Sequence, residues 1–281
     1  MSRRNSDRTG GHRQGSSVPP AAQAQPFSFI VPTEFVELPS QGRYYPENHP
    51  LYNKEVIEIK HMTAKEEDIL TSKTLLKKGI AIDRVVASVI VDKSIDPASL
   101  LVGDRNAIII SLRAASYGSM YETAVMCPAC QSKVNFAFNL QEANVYFGED
   151  LSSLDIARNE DGTFDVELPT TKVAITFRLL TGREEKSYLN NLEQDKRKKN
   201  GEKIITRQLM AMIVAVNGDD RIETRRYVAE NLPSMDSRHL RLAYKLANPN
   251  IDLTQFFECS TCGHEAEMEV PLGADFFWPD R

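Results

Sequence analysis

The sequence predicts an α+β protein: a zinc-ribbon-like β unit with an N-terminal three-helix module and a second helical module inserted between two cysteine pairs. The first observation behind this prediction is that all four cysteines occur as two C-x-x-C pairs. The second is that alternating apolar and polar residues flank each pair, as is typical of a β-hairpin. The third is that apolar residues recur at helical spacing before the first pair and between the two pairs.

The two cysteine pairs predict one shared metal ion. Cys127 and Cys130, like Cys259 and Cys262, are three positions apart, and two such turns complete a tetrahedral shell of thiolates. Residues 131–258 separate the pairs, whereas a compact four-cysteine ribbon has about 15–20 residues there. We therefore expect a structural zinc ion on these four side chains. The intervening chain would leave the ribbon and return to it.

Three other interpretations of the cysteines remain open: two disulfides, a redox pair, and two unrelated C-x-x-C turns. A thioredoxin-type redox pair opens a helix after a strand, and neither of these pairs does so. His264 follows the second pair closely. It either replaces a cysteine ligand or is a solvated side chain beside the turn.

Composition argues against several classes of protein. The 281 residues are 41% hydrophobic and 26% charged, and no apolar run approaches the about 18 residues of a membrane span. We expect no transmembrane span and no secretory signal, which favours reduced thiols and metal over a disulfide framework. The net charge of −5 and the pI near 5.7 argue against a protein that coats nucleic acid.

The N-terminal part divides into an arm and an extended segment. Residues 1–26 are predicted to be a disordered basic arm, either a solvated tail or a segment that docks on an acidic neighbour or a nucleic acid. Residues 27–62 are predicted to form a β-arm. Tyr44 and Tyr45 in this arm are candidate partner-binding residues, and packing within the arm is the alternative.

Residues 63–120 predict the three-helix module. Thr63 and Glu66 have the spacing of a capping box, and a second helix has the stripe Ile82, Val85, Val86, Val89 and Ile90. Asp104 is predicted to cap a third helix, from Arg105 to about Ser116. Core packing explains every apolar residue of this module.

The zinc-ribbon β unit is predicted to comprise residues 121–180 together with 251–281. Within it, a hairpin over residues 163–179 is expected to extend the ribbon into a small sheet. Residues 181–250 are predicted to be the helical insert, whose core stripe is Ile205, Leu209, Met212, Ile213 and Val216. Basic residues of the insert, among them Arg238, Arg241 and Lys245, are interleaved with acids, which favours a solvated or protein-docking face over nucleic-acid binding.

Three adjacent aromatic residues lie near the C-terminus: Phe276, Phe277 and Trp278. Exposed aromatic clusters are costly in water, so these side chains need either a groove on this chain or a pocket on a neighbour. We treat them as candidate partner-binding residues.

No catalytic pattern is present in the sequence. The five histidines form no H-E-x-x-H motif, and neither a P-loop, a dinucleotide fingerprint nor a nucleophile elbow occurs. A zinc ion held by four cysteines has no open position for water, so it builds a fold instead of catalysing a reaction. We expect a protein that is not an enzyme.

Several short motifs follow one another in the N-terminal half: Leu38–Gly42, then Met62–Leu70, then Asp104–Gly118, then the first cysteine pair. Their order and spacing resemble the baseplate hub protein family of T-even-type contractile-tailed bacteriophages, over about residues 35–140 and the second cysteine pair. That family has an LPS-x-G strand, a KEE-x-x-L helix start and an R-x-x-S-x-G segment. The residues that match the family pattern are interpreted as fold and contact residues: Lys65, Glu66, Glu67, Arg113 and Ser116.

The resemblance implies a structural protein of the virion, located in the tail baseplate and assembled in the host cytoplasm. Its partners would be other baseplate, hub or tail-tube proteins. We expect no small-molecule substrate and no membrane, and the composition disfavours nucleic acid as a partner. Two alternatives remain: a hub assembly chaperone absent from the virion, and a zinc-ribbon nucleic-acid-binding or transcription factor. A transcription factor of this type would present an uninterrupted basic face.

Overall fold

The N-terminal β-arm consists of two antiparallel strands, β1 (Thr33–Glu37) and β2 (Val56–Lys60). The structure is a computed structural model that describes residues 30–77, 79–148, 151–197, 203–271 and 276–277. The segment between the strands folds back on itself around Gly42. A Cβ atom at Gly42 would lie 2.3 Å from the carbonyl oxygen of Leu51, and the backbone φ is +70°. Only glycine fits this close approach without displacing the backbone.

Three short or medium helices follow: α1 (Ala64–Thr71), α2 (Lys73–Lys77) and α3 (Ala81–Val89). The predicted capping box is confirmed, because the Thr63 backbone N–H donates to the Glu66 carboxylate over 3.0 Å. Glu66 is buried and also accepts from Ser88. Burial raises the pKa of Glu66, but the hydrogen bonds from Ser88 and Thr63 outweigh it and lower that pKa to about 2.

Helix α4 (Val102–Tyr117) begins before Asp104, so the prediction that Asp104 caps the helix is wrong. Asp104 is fully buried in the first turn. Its carboxylate accepts hydrogen bonds from the Ser40 backbone N–H (2.9 Å), the Ser40 hydroxyl (2.6 Å) and the Tyr45 hydroxyl (2.7 Å). The Tyr45 oxygen in turn accepts from the Leu101 backbone N–H over 3.0 Å. This network fixes the loop of the β-arm on the N-terminus of α4.

Ten strands follow α4 in the described residues, in four groups. Two hairpins carry the cysteine pairs: β3 (Met120–Met126) with β4 (Lys133–Asn139), and β11 (Thr254–Glu258) with β12 (Glu265–Glu269). Strand β5 (Asn144–Tyr146) pairs antiparallel with β10 (Asn250–Asp252). The fourth group, described next, adds β6 (Ala157–Arg158), β7 (Thr163–Glu167), β8 (Ala174–Arg178) and β9 (Ile213–Val216).

Strands β6 to β9 form a four-stranded antiparallel sheet in the order β6-β7-β8-β9. The predicted hairpin over residues 163–179 is present as β7 and β8, but it belongs to this separate sheet and does not extend the ribbon. Its free edge is filled by β9, a segment that we expected to continue a helix. The run Ile213–Val216 is short, apolar and rich in β-branched residues, and periodicity alone cannot assign such a run to helix or strand.

Four helices lie between the cysteine hairpins in the described residues: α5 (Gly182–Arg197), α6 (Ile204–Met212), α7 (Ile222–Asn231) and α8 (Ser234–Ala247). The Thr181 backbone N–H donates to the Glu184 carboxylate over 2.9 Å, which is a capping-box hydrogen bond at the start of α5. The Asp236 carboxylate of α8 accepts from the backbone N–H groups of Thr170 and Thr171, over 2.8 and 2.9 Å. This contact fixes the β7–β8 turn on the start of α8.

Residues from Pro32 onward form one unit, whereas Ile30 and Val31 belong to a separate N-terminal unit. Buried apolar side chains of the helices, the four-stranded sheet and the cysteine hairpins join in one continuous core. Among the described residues, no helix combines the length and the apolar character that a membrane crossing requires. The predicted arm at residues 1–26 lies outside the described residues.

We expect Asp104→Asn to lower the free energy of unfolding by about 1–3 kcal/mol, because an amide cannot accept from all three buried donors. Chemical denaturation measures this change. Asp68→Asn is the matched control, since Asp68 is exposed on α1 and should shift stability by less than about 0.5 kcal/mol. Equal effects of the two substitutions would contradict the role given to Asp104.

Candidate metal centre

The two cysteine pairs lie at the tips of two equivalent hairpins. Strand pairing ends at Met126 and Lys133 in the first hairpin and at Glu258 and Glu265 in the second. The connecting loops, residues 127–132 and 259–264, have the same length. The prediction that each C-x-x-C pair occupies a hairpin tip is therefore confirmed.

Matching hydrogen bonds close the two loops. The Cys127 backbone N–H donates to the Ser132 carbonyl over 3.0 Å, and the Cys259 N–H donates to the His264 carbonyl over 2.9 Å. These bonds hold the first cysteine of each pair directly after the last residue of its strand. The loops are thus alike in hydrogen bonding as well as in length.

The residue after each pair has a left-handed backbone conformation: Gln131 has φ 58° and Gly263 has φ 68°. Their N–H groups donate to the carbonyls of Cys127 and Cys259, over 2.9 and 2.8 Å. The chain therefore turns sharply after the second cysteine of each pair. Within each pair, the side chains of the two cysteines consequently face the same point.

The four sulfur atoms all lie within 4.8 Å of one another. Cys127 Sγ is 3.8 Å from Cys262 Sγ, and Cys130 Sγ is 3.8 Å from Cys259 Sγ. A tetrahedral ion with metal–sulfur bonds of about 2.3 Å places its sulfur ligands about 3.8 Å apart. A disulfide needs about 2.05 Å, so the four free thiols fit one tetrahedral metal ion and not a covalent pair.

The site is half enclosed. Cys127 and Cys259 are buried, whereas Cys130 and Cys262 are exposed. The side-chain and backbone hydrogen bonds from Ser132 lower the pKa of the Cys130 thiol to about 6. The His264 backbone N–H lowers the pKa of Cys262, but interactions with the thiols of Cys130, Cys259 and Cys127 together outweigh it and raise that pKa to about 12. Donors around sulfur are the surroundings that a bound thiolate requires.

Contacts below the cysteines hold the two hairpins together. The rings of Phe136 and Phe257 meet edge to face with their centroids 5.2 Å apart. The Gln255 side chain accepts from the Asn139 backbone N–H (3.0 Å) and donates to the Asn139 carbonyl (2.7 Å). Gln255 thus mimics one step of strand pairing across the hairpins. Sequence patterns gave no signal for it, since its partner lies far away in the chain.

Phe276 and Phe277 lie in a groove on this chain. Phe276 and Phe277 are each 2% exposed, and the Phe276 ring packs edge to face on Tyr121 at 5.1 Å. The Phe276 carbonyl accepts from the Arg113 guanidinium over 2.7 Å. The structure thus selects the groove on this chain over the neighbour's pocket, because the core and Arg113 already satisfy these two residues. Trp278 lies outside the described residues.

The two candidate tyrosines of the β-arm also face inward to different degrees. Tyr45 is 5% exposed and bonded to Asp104, so it packs within this chain, and its role as a partner-binding residue stays a prediction. Tyr44 is half-buried, with its ring 5.6 Å from that of Phe164 and 4.7 Å from the Arg158 guanidinium. Packing within the chain accounts for the contacts of both side chains.

We expect Gly263→Ala to lower the free energy of unfolding by about 1–2 kcal/mol while the four cysteines stay together, because only the left-handed backbone is penalised. No atom lies within 4 Å of the added Cβ, so a clash cannot explain a loss. Gln131→Ala is the matched control at the equivalent position. It exchanges one side chain with a Cβ for another and should be close to neutral in urea denaturation. A similar loss for both variants would contradict this account of the loops.

Comparison with known proteins gives one informative match. Searches of curated proteins and of solved structures each returned no significant match. A protein-family model described as "T4 bacteriophage base plate protein" matches residues 32–278, which include both cysteine hairpins and all the helices and strands given above. The chain therefore belongs to the T4 bacteriophage base plate protein family.

Proposed function

We propose that this chain is a non-enzymatic structural component of the hub region of a phage tail baseplate, stabilised by one zinc ion. Its partners are neighbouring baseplate or tail-tube proteins, and its place is the virion, after assembly in the host cytoplasm. The observation that supports this most directly is the family match over residues 32–278. The order of the N-terminal motifs supports the hub region within that family.

The cysteine cluster supports zinc as the resident ion. Cys127, Cys130, Cys259 and Cys262 would hold it, with a sulfur spacing that fits a tetrahedral shell. Four thiolates are ligands that favour zinc over oxygen-preferring cations. When bound, the ion supplies a cross-link and no Lewis-acid chemistry, since all four positions are filled by protein.

The role of this cross-link follows from chain topology. The first hairpin precedes the four-stranded sheet and helices α5–α8, and the second hairpin follows them. Joining the hairpin tips therefore closes a loop that contains half of the fold. Closure of such a long loop removes many conformations from the unfolded chain, which stabilises the folded state.

Surface charge on the second hairpin favours a protein partner over a nucleic acid. Its exposed positions include Glu258, Glu265, Glu267 and Glu269, and these carboxylates repel phosphate. A nucleic-acid-binding ribbon requires cations where this hairpin has acids. The transcription-factor alternative therefore has no support from this surface.

We expect the purified protein to contain about one zinc ion per chain, with all four thiols becoming reactive after chelation. Cys127→Ser should abolish stoichiometric zinc binding and destabilise both hairpins, lowering the melting temperature by about 2–4 °C for each kcal/mol lost. Elemental analysis and thermal unfolding measure the two effects. Ser260→Ala, in the same kind of loop but without a ligand atom, is the control and should keep both properties. A folded, zinc-free wild-type protein would disprove the metal site.

The baseplate role predicts that the chain is present at fixed stoichiometry in purified phage tails. Quantitative mass spectrometry of tails and of baseplate intermediates, with an epitope-tagged chain, measures this. Presence in intermediates and absence from finished tails would instead identify an assembly factor. Absence from both, with association to DNA, would overturn the proposal.

A further inference from the structure

The second cysteine hairpin has an acidic outer face with an aromatic centre. Phe256 is 60% exposed and lies directly opposite Glu267, and Glu258 lies opposite Glu265. Side chains of a strand alternate between its two faces, so these residues and Glu269 share one face. We call Phe256, Glu258, Glu265, Glu267 and Glu269 the acidic face.

The charge of the acidic face is not compensated within the described part of the chain. No ion pair there involves any of its four glutamates. The sequence has no lysine or arginine between Leu246 and Asp280. Like charges directly opposite each other destabilise a sheet, and an exposed phenylalanine at their centre adds no stability to the isolated chain. Both features are typical of a surface that binds a partner with a basic, partly apolar surface.

Helix α8 has an outer face of the opposite character. Met235 and Leu242 are 66% and 44% exposed, and Arg238 and Lys245 are exposed between and beyond them. These four residues lie on one side of the helix because their spacing follows the helical repeat. The acid of α8, Asp236, is buried. We call Met235, Arg238, Leu242 and Lys245 the basic face.

The two faces border a common groove of about 450 Å³. Lys245 contributes to one side of the groove, and Glu269 and Thr254 contribute to the other. Leu246 and Ile251, both partly buried, lie between them. One end of the basic face and one end of the acidic face therefore meet at this groove, through Lys245 and Glu269.

We propose that this surface binds the same surface of a second copy of the chain about a two-fold axis. A two-fold interface must be self-complementary. Adjacent basic and acidic faces meet that condition because the basic face of each copy can contact the acidic face of the other copy. The lengths also agree: the basic face spans about 15 Å at 1.5 Å per helical residue. The acidic face spans about 13 Å at 3.3 Å per strand residue. This self-association goes beyond the baseplate role proposed above.

Sedimentation velocity of the full-length protein tests the proposal. We expect a concentration-dependent dimer at low ionic strength that dissociates as salt is raised to about 1 M, where the Debye length falls to about 3 Å. A monomer at all concentrations in low salt would overturn the proposal.

Charge reversal identifies the surfaces. Glu267→Lys/Glu269→Lys removes the net charge of the acidic face, and Arg238→Glu/Lys245→Glu makes both faces acidic. Each variant alone should dimerise at least about tenfold more weakly than the wild type, because the first variant loses the attraction between the faces and the second places like charges opposite each other. An equimolar mixture of the two variants should restore the dimer, since each supplies the charge that the other lacks. Failure of the mixture to associate, with both variants folded by circular dichroism, would disprove the pairing.

Glu47→Lys/Glu55→Lys is the matched control, with the same charge change at exposed positions near the β-arm. It should dimerise like the wild type, and an equal weakening would point to net charge and overturn the assigned surface. Sedimentation velocity and the analysis of purified tails test the dimer and the baseplate role separately. A wild-type monomer that is still present in purified tails contradicts only the dimer, whereas a dimer absent from tails contradicts only the baseplate role.

Discussion

The meeting of two hairpin tips is the constraint on which the rest of this structure depends. Cys127 and Cys262 belong to hairpins separated by the four-stranded sheet and helices α5–α8, yet their sulfur atoms are 3.8 Å apart. Everything between the hairpins must therefore begin and end at one place. The Phe136–Phe257 ring contact and the Gln255 hydrogen bonds fix the same approach from below. The tips thus meet in a defined orientation, which a tetrahedral site requires.

Carboxylates at the starts of helices form a second level of organisation. Glu66, Asp104, Glu184 and Asp236 each occupy the third position of a helix, where the helix dipole favours negative charge. The two glutamates accept from the N-cap residue of their own helix. The two aspartates accept instead from distant loops, at Ser40 and at Thr170. The preference for an acidic residue at the third position of a helix therefore also joins the β-arm to α4 and the β7–β8 turn to α8.

The Arg113 side chain likewise joins distant parts of the chain, because it binds Phe276 near the C-terminus. Its guanidinium is fully buried and donates to the carbonyls of Phe276 and Gly118, with the rings of Tyr117 and Tyr121 beside it. Burial lowers the pKa of Arg113, because removal from water disfavours the charged form. Carbonyl dipoles and aromatic faces stabilise the cation in place of an acid. Phe276 is thereby held against α4 and β3.

The sequence by itself determined the features that depend on near neighbours. Both capping boxes, the hairpins that carry the cysteines, the β7–β8 hairpin and the motif order of the family follow from residues a few positions apart, and local hydrogen bonds and side-chain alternation enforce them. Only the tertiary structure decided the rest. The Asp104 carboxylate binds a loop far away in the chain, since Leu101 offers no side-chain cap. Ile213–Val216 became a strand because β8 had an open edge. Tyr45, Phe276 and Phe277 are buried since this chain supplies their partners. In each case the deciding contact comes from a distant part of the chain, and residue spacing carries no information about it.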